Sequence, residues 1–191
     1  MARMRTFIAI NLGNLLRDRC IALQETLADS GTDVKWVEKE NLHLTLLFLG
    51  EVEDRTLPAL CRAVADCCGE HPPFTLGVES VGCFPNPRRP RVVWAGVAAG
   101  SAELIALHDA LEPPLLDLGC YRREARQYTP HVTLGRVQGD GDTDVLAAAL
   151  TKQAKWRGGE TEVREVCVFS SELRPKGPVY TVLSRAKLRT R

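Results

Sequence analysis

The sequence predicts a mixed α+β protein organised as one domain, and three observations predict it. Short apolar runs alternate with amphipathic stretches along the whole chain, so neither the two-residue nor the 3.6-residue period dominates. A length of 191 residues suffices for one hydrophobic core and is short for two separate ones. A strand, a helix and a second strand also recur in each half: 33 positions separate Ile10 from His43 and 34 separate Val97 from His131, as in an internal duplication.

Taken in order, Phe7 to Ile10 reads as a buried strand. Leu15 to Leu27 reads as a helix, with Leu16, Ile21, Leu23 and Leu27 recurring at near-helical spacing. Val34 to Val37 and Leu42 to Leu49 are strands. Arg55 to Cys68 is a helix entered through Glu53 and Asp54, where acidic residues suit the positive end of the helix dipole. Phe74 to Val81 alternates and is a strand. The stretch Phe84-Pro-Asn-Pro-Arg-Arg-Pro90 can only be a loop, and after it the order begins again. Arg91 to Val97 is a strand, and Ser101 to Leu111 a helix with Ser101 as its expected N-cap. Then follow a strand from His131 to Val137, a helix from Asp144 to Lys155, and strands near Glu162 to Phe169 and Val179 to Leu188.

Composition narrows the function classes. The net charge is +1, so the chain is no general polycation, and any polyanion must meet a local patch. The cations are 19 Arg against 6 Lys, and arginine is the residue that grips phosphate through a planar fork. Seven cysteines, an odd number without C-x-x-C or zinc spacing, imply neither a disulfide framework nor a metal knot. No apolar run is long enough to span a bilayer and the first one is too short for a signal peptide, so a reducing cytoplasm is expected. With no clear interface signature, a monomer is expected.

The informative feature is a repeated tetrad: His43-Leu-Thr45-Leu in the first half and His131-Val-Thr133-Leu in the second. On a strand the side chains alternate, so histidine and threonine share a polar face while Leu42, Leu44, Leu46, Val132 and Leu134 enter a core. Four His and 13 Thr in 191 residues predict about 0.3 copies of His-x-Thr, against the two observed. One copy would read as an ordinary polar pair on an exposed sheet face. Two copies in corresponding positions point to chemistry.

Opening a cyclic phosphate requires water in line on one side of phosphorus and a proton for the departing oxygen on the other. Two imidazoles from opposite lobes meet both needs near neutral pH, while Thr45 and Thr133 can donate to the non-bridging oxygens. No metal or other cofactor is needed, and two His with two weakly ligating Thr and no carboxylate make a poor metal shell. His71 and His108 lack this context and read as structural or surface residues. Arg136 lies five positions after His131, on the opposite face by strict alternation unless the strand bulges at Gly135. Phe48, Trp36 and Tyr128 are candidates to stack on a base, with core packing the alternative.

These motifs resemble the two-histidine phosphoesterase superfamily, and within it the RNA 2′,3′-cyclic phosphodiesterases, also described as 2′-5′ RNA ligases. The resemblance rests on Arg5-Thr-Phe-Ile-Ala-Ile10, Glu40-Asn-Leu-His-Leu-Thr-Leu-Leu-Phe-Leu-Gly50, Arg89-Pro-Arg-Val-Val-Trp94 and Tyr128-Thr-Pro-His-Val-Thr-Leu-Gly-Arg136. It implies a bilobal α+β fold, with two pseudo-symmetric antiparallel sheets facing a central cleft and helices outside. The single domain would cover 1–191, with lobes of about 1–84 and 91–191 that exchange strands. It further implies His43 as proton donor, His131 as proton acceptor, and Thr45, Thr133 and Arg136 around the phosphate. The implied substrate is RNA ending in a 2′,3′-cyclic phosphate, such as tRNA halves, or a small cyclic-phosphate nucleotide. The product is a 2′-phosphate, and ATP-independent ligation follows when a 5′-hydroxyl replaces water. A non-catalytic RNA-binding module is the alternative from another class, using Arg88-Arg89-Pro-Arg91 and Arg122-Arg123-Glu-Ala-Arg126.

Overall fold

In the computed structural model, which describes residues 2–139, 143–175 and 177–189, the chain runs β1 (Arg3–Asn11), α1 (Asn14–Ala28), β2 (Val34–Trp36), β3 (His43–Glu53), α2 (Leu57–Gly69), β4 (Phe74–Phe84), β5 (Val92–Val97), α3 (Ser101–Asp117), β6 (His131–Val137), α4 (Asp144–Lys152), β7 (Arg157–Val163), β8 (Glu165–Arg174) and β9 (Gly177–Lys187). Met1 and residues 190–191, at the ends of the expected 1–191 span, lie outside the described residues.

The strands form one antiparallel sheet in the order β7-β4-β5-β6-β3-β1-β8-β9, with β2 added to β6. The two facing sheets expected from the sequence are thus two halves of one curled sheet. β3 and β6 join them at a single residue pair, Leu44 with Val132, and the strands part on either side of it. Each half draws strands from both ends of the chain. β8 and β9 extend β1, whereas β4 lies beside β5. The loop at 84–91 is therefore the turn of the β4–β5 hairpin, inside one half of the sheet.

Helices cover one face. α1 carries Leu16, Cys20, Leu23 and Leu27 on a buried stripe and packs against β6 and β7; α2 buries Leu60, Val64 and Cys68 against β8 and β9. Each buried leucine contributes about 1.5–3 kcal/mol relative to exposure, so these stripes hold the helices in place more than intrinsic propensity does. The other face of the sheet stays open, and there Phe7, Ala9, Cys167 and Phe169 form a small cluster of their own.

Three features, two of them in α3, differ from the sequence reading. Gly100, not Ser101, sits at the start of α3 with a φ of 84°, and a Cβ there would lie 2.5 Å from the Thr75 carbonyl oxygen. Glycine alone fits that left-handed position. α3 also runs on past Leu111 through Pro113 and Pro114 to Asp117. Each proline withholds an amide from the carbonyl four residues back, yet Leu107, Leu111 and Leu115 continue to bury one face. The strand expected near Glu162 to Phe169 is two strands, because the chain crosses at Arg164 from one half of the sheet to the other.

Candidate active site

His43 and Thr45 open β3, and His131 and Thr133 occupy the corresponding positions of β6. The bridge between Leu44 and Val132 lies midway in each pair, so the antiparallel register sets His43 across from Thr133 and Thr45 across from His131. All four side chains are partly exposed while Leu44 and Val132 are fully buried. The two histidines thus stand on a diagonal of the open face, positions that a regular sheet sets on the order of 7–8 Å apart in its backbone. That spacing leaves room for a phosphorus and its oxygens between them.

Both rings are held in the same way. His43 Nδ1 lies 2.7 Å from the carbonyl oxygen of Asn41, and His131 Nδ1 lies 2.7 Å from that of Thr129. A carbonyl can only accept, so Nδ1 carries the hydrogen and Nε2 is the nitrogen left for chemistry. His43 Nε2 sits 2.9 Å from Thr45 Oγ1. The ring of His43 is flanked by Phe7 at 5.0 Å and by the edge of Tyr180 at 5.4 Å, and that of His131 by the edge of Phe84 at 5.1 Å. Burial among these rings lowers both imidazole pKa values, and the hydrogen bonds to Asn41 and Thr129 oppose it. Arg17 and His131 lower His43 further, and Arg136 lowers His131.

Arg136 reaches the same face through a bulge. Along β6 and β5, Val93 pairs with Gly135 but Trp94 pairs with Thr133, so Leu134 is an extra residue. Leu134 and Gly135 are both buried and Arg136 emerges beside Thr133. Gly135 is required, since a Cβ there would lie 2.7 Å from Val34 and 2.8 Å from the Trp36 ring. The displaced Leu134 carbonyl accepts from Val37 N at 2.8 Å and from Gln24 Nε2 at 2.8 Å; the same amide also donates to Val37 O at 2.9 Å. Gln24 is only 5% exposed, so α1 holds the bulge from beneath.

β3 repeats the device. Ile8 pairs with Leu47 and Ala9 with Thr45, leaving Leu46 extra, with Leu46 and Leu47 both buried. The residue brought to the open face is Phe48, 54% exposed. Phe48 thus occupies in the first half the position of Arg136 in the second. Tyr128 is committed differently: its hydroxyl donates to the Thr45 carbonyl at 2.9 Å and its ring stacks on His108 at 4.3 Å. Trp36 packs against the core at Gly135, and His71 follows α2, its amide donating to Cys68 O and its carbonyl accepting from Arg189 N.

Two cavities meet over these residues. One, of about 350 Å³, is lined by His43, Arg5, Phe7, Asn41 and Tyr180; the other, of about 410 Å³, by His131, Phe84, His108, Gln127 and Tyr128. Thr45, Phe48, Thr133 and Arg136 line both. The five residues singled out in the sequence therefore share one cleft. Sequence reading gave no site role to Gln24, Arg5, Phe7 or Tyr180, and treated His108 as structural or peripheral. A usable signal existed for the bulges, namely two consecutive small or apolar residues after each His-x-Thr. Among the described residues, no group of three His, Cys, Asp or Glu is placed to hold a metal ion.

Two Nδ1-anchored imidazoles, each beside a threonine, on strands that join two halves of a curled sheet define a two-histidine phosphoesterase. The chain belongs to the 2′-5′ RNA ligase superfamily, whose family model matches residues 17–174. It is 38% identical over 179 residues to the RNA 2′,3′-cyclic phosphodiesterase of Methanothermobacter thermautotrophicus, covering 94% of this chain and 96% of that one. The protein of the same name from Archaeoglobus fulgidus is 37% identical, covering 93% and 96%. E. coli LigT in its apo form superposes with a TM-score of 0.79 at 27% identity over 100% of both chains. LigT has also been crystallised with 3′-AMP, and that structure matches with a TM-score of 0.77 at 26% identity over 98% and 99% of the chains.

Proposed function

We propose that the protein hydrolyses a 2′,3′-cyclic phosphate at an RNA end to a 2′-phosphate. Water attacks phosphorus in line with the P–O3′ bond. His131 Nε2 takes the proton from the water and His43, protonated at Nε2, gives one to O3′ as that bond breaks. The site ends with His131 charged and His43 neutral, and a proton exchange with solvent restores it. Thr45 and Thr133 donate to non-bridging oxygens, and the Arg136 fork holds the phosphate as charge builds up on it. Phe48, 54% exposed, offers its ring to the terminal base.

The observation that carries this reading is the like anchoring of two imidazoles through Nδ1 on one face, which leaves Nε2 of each as the nitrogen for chemistry. A 5′-hydroxyl in the place of water would give a 2′-5′ linkage without ATP, and reversing that step exchanges the two histidine roles. The names of the relatives support the substrate class, of which ends like those of tRNA halves and small cyclic nucleotides are both members. We further place the reaction in one domain over 1–191, acting as a monomer in a reducing cytoplasm. No helix among the described residues is long and apolar enough to cross a membrane.

The test is incubation of a cyclic-phosphate oligonucleotide in EDTA. Formation of a 2′-phosphate end, lost in His43→Ala and His131→Ala, is expected. Absence of that product, or full activity in either variant, would overturn the assignment.

A further inference from the structure

A terminal cyclic phosphate sits on the last nucleotide of a chain, so the remaining RNA must leave the cleft in one direction with its phosphates. β1 marks a direction. Alternation along the strand puts Arg3 and Arg5 on the same face as Phe7, whose ring lies against His43. Arg5 is one pleat repeat from Phe7, about 6.8 Å, and Arg3 is two. Arg5 lines the cavity that holds His43, Thr45, Thr133 and Arg136. Arg5 and Arg136 line the same cavity as Tyr180, and both lower its phenol against the larger upward effect of burial.

Beyond Phe48 and Gly50 a further cavity of about 570 Å³ opens, and Arg3, Arg55 and Arg122 line it. Glu53 accepts from Arg55 at 2.7 Å and lies 3.5 Å from Arg3, and Glu51 is the second carboxylate of the groove. Four guanidinium groups along this path thus face two carboxylates. Arg5 and Arg122 have no ion-pair partner among the described residues.

The other exits carry a smaller surplus or none. The cavity behind His43 sets Arg17 against Glu38 and Glu40, and the one beside His131 sets Arg126, Arg136 and Arg123, which pairs with Glu112 at 3.1 Å, against Glu112 and Glu124. A polyanion leaves most favourably along β1.

We propose that Arg5, Arg3 and Arg55, with Arg122 across the groove, form a track for the backbone phosphates of RNA upstream of the terminal nucleotide. The enzyme accordingly acts on oligonucleotide ends in preference to mononucleotides. This inference rests on the hydrolase reading above and names the form of its substrate. Arg3 and Arg55 are exposed and distant from the reacting atoms, so they act on binding of the strand alone. Each backbone phosphate neutralised adds about −0.7 to the slope of log affinity against log salt for a single strand.

The experiment compares kcat/KM for a nucleoside 2′,3′-cyclic phosphate and for a pentanucleotide ending in the same residue, at 50 and 200 mM salt. Wild type should favour the pentanucleotide by more than about tenfold at the lower salt, with roughly a sevenfold smaller preference at the higher, as two phosphate contacts dictate. Arg3→Gln/Arg55→Gln should remove most of the preference and its salt dependence while leaving mononucleotide turnover within about twofold. Arg88→Gln/Arg89→Gln, in the hairpin turn on the other half of the sheet, should keep it. Equal use of both substrates by wild type, a preference that survives loss of Arg3 and Arg55, or one lost with Arg88 and Arg89 would overturn the track. If wild type hydrolyses neither substrate, the catalytic reading fails. Anisotropy with a labelled 3′-phosphate pentanucleotide then decides the track, and affinity unchanged in Arg3→Gln/Arg55→Gln overturns it.

Discussion

Gln24 lies on the helix-covered side of the sheet, opposite the cleft, yet its side-chain amide decides where Arg136 points. Both of its N–H groups are used, one on Leu134 O and one on Val37 O. Gln24→Leu keeps the volume and removes both donors. Leu134 O retains the Val37 amide, while Val37 O loses a buried partner, at a cost of about 1–3 kcal/mol. For a chain of this size each kcal/mol moves Tm by about 2–4 °C, so a fall of about 2–12 °C is expected by calorimetry. With the bulge less firmly held, Arg136 should lose its fixed aim, and kcat/KM for a cyclic-phosphate substrate should fall about tenfold for every 1.4 kcal/mol of phosphate stabilisation lost. The decisive assay is a double-mutant cycle. In an Arg136→Ala background, Gln24→Leu should lower kcat/KM no further, although it still lowers Tm. Additive losses in kcat/KM would refute the link between the amide, the bulge and the arginine, and so would an unchanged Tm.

Four other outcomes are expected. Burial depresses both imidazole pKa values and so favours the neutral rings, whereas turnover needs His43 protonated; kcat/KM should therefore rise as pH falls from neutrality until His131 in turn protonates. Arg17→Gln removes a cation that lowers His43 and should shift the alkaline limb of that profile to higher pH, and a shift downward would contradict the assignment. Arg136→Lys keeps the charge but not the fork and should cost about 10²–10³ in kcat with an unchanged circular dichroism spectrum. Tyr128→Phe removes the hydroxyl that donates to Thr45 O but keeps the stack on His108; a loss of about 0.5–1.5 kcal/mol, or roughly 2- to 10-fold in kcat/KM, is expected, read by steady-state kinetics.

Much of the architecture was legible because local patterns carried it. The alternation in His43-Leu-Thr45-Leu and its counterpart predicted which side chains share a face, and β3 and β6 show that split. Strand order was not legible. Nothing in residues 162–169 marks Arg164 as the point where the chain changes halves, because pairing partners are set by contacts far apart in sequence. The position of Arg136 was legible only as a condition on Gly135. The tertiary reason, a Val34 and Trp36 surface that excludes any Cβ, comes from β2, about 100 residues away. Gln24 was unreadable for the same reason: on a helical wheel it is one polar residue beside a leucine stripe, and its role exists only once Leu134 has been displaced beneath it.

The near-symmetry of the cleft raises a question that its asymmetry answers. His43 and His131 hold the same hydrogen bond at Nδ1, sit on equivalent strand positions and precede equivalent bulges. Nothing in the two rings alone would make one an acid and the other a base, and a fully two-fold site would accept a phosphate in either sense. The sixth residue of each motif differs: Phe48 in one half, Arg136 in the other. A cation and an aromatic ring at symmetry-related points give the cleft a polarity that matches a nucleotide, which carries its anion at one end and its π-face at the other. On the proposed reading, the substrate's orientation then assigns the histidine roles, because whichever ring faces O3′ must supply the proton. Exchanging the two residues, Phe48→Arg with Arg136→Phe, should therefore reverse the seating of the substrate and with it the two histidine roles, so steady-state kinetics should show the double exchange retaining more kcat/KM than Arg136→Phe alone; a double variant no better than that single one would refute the argument.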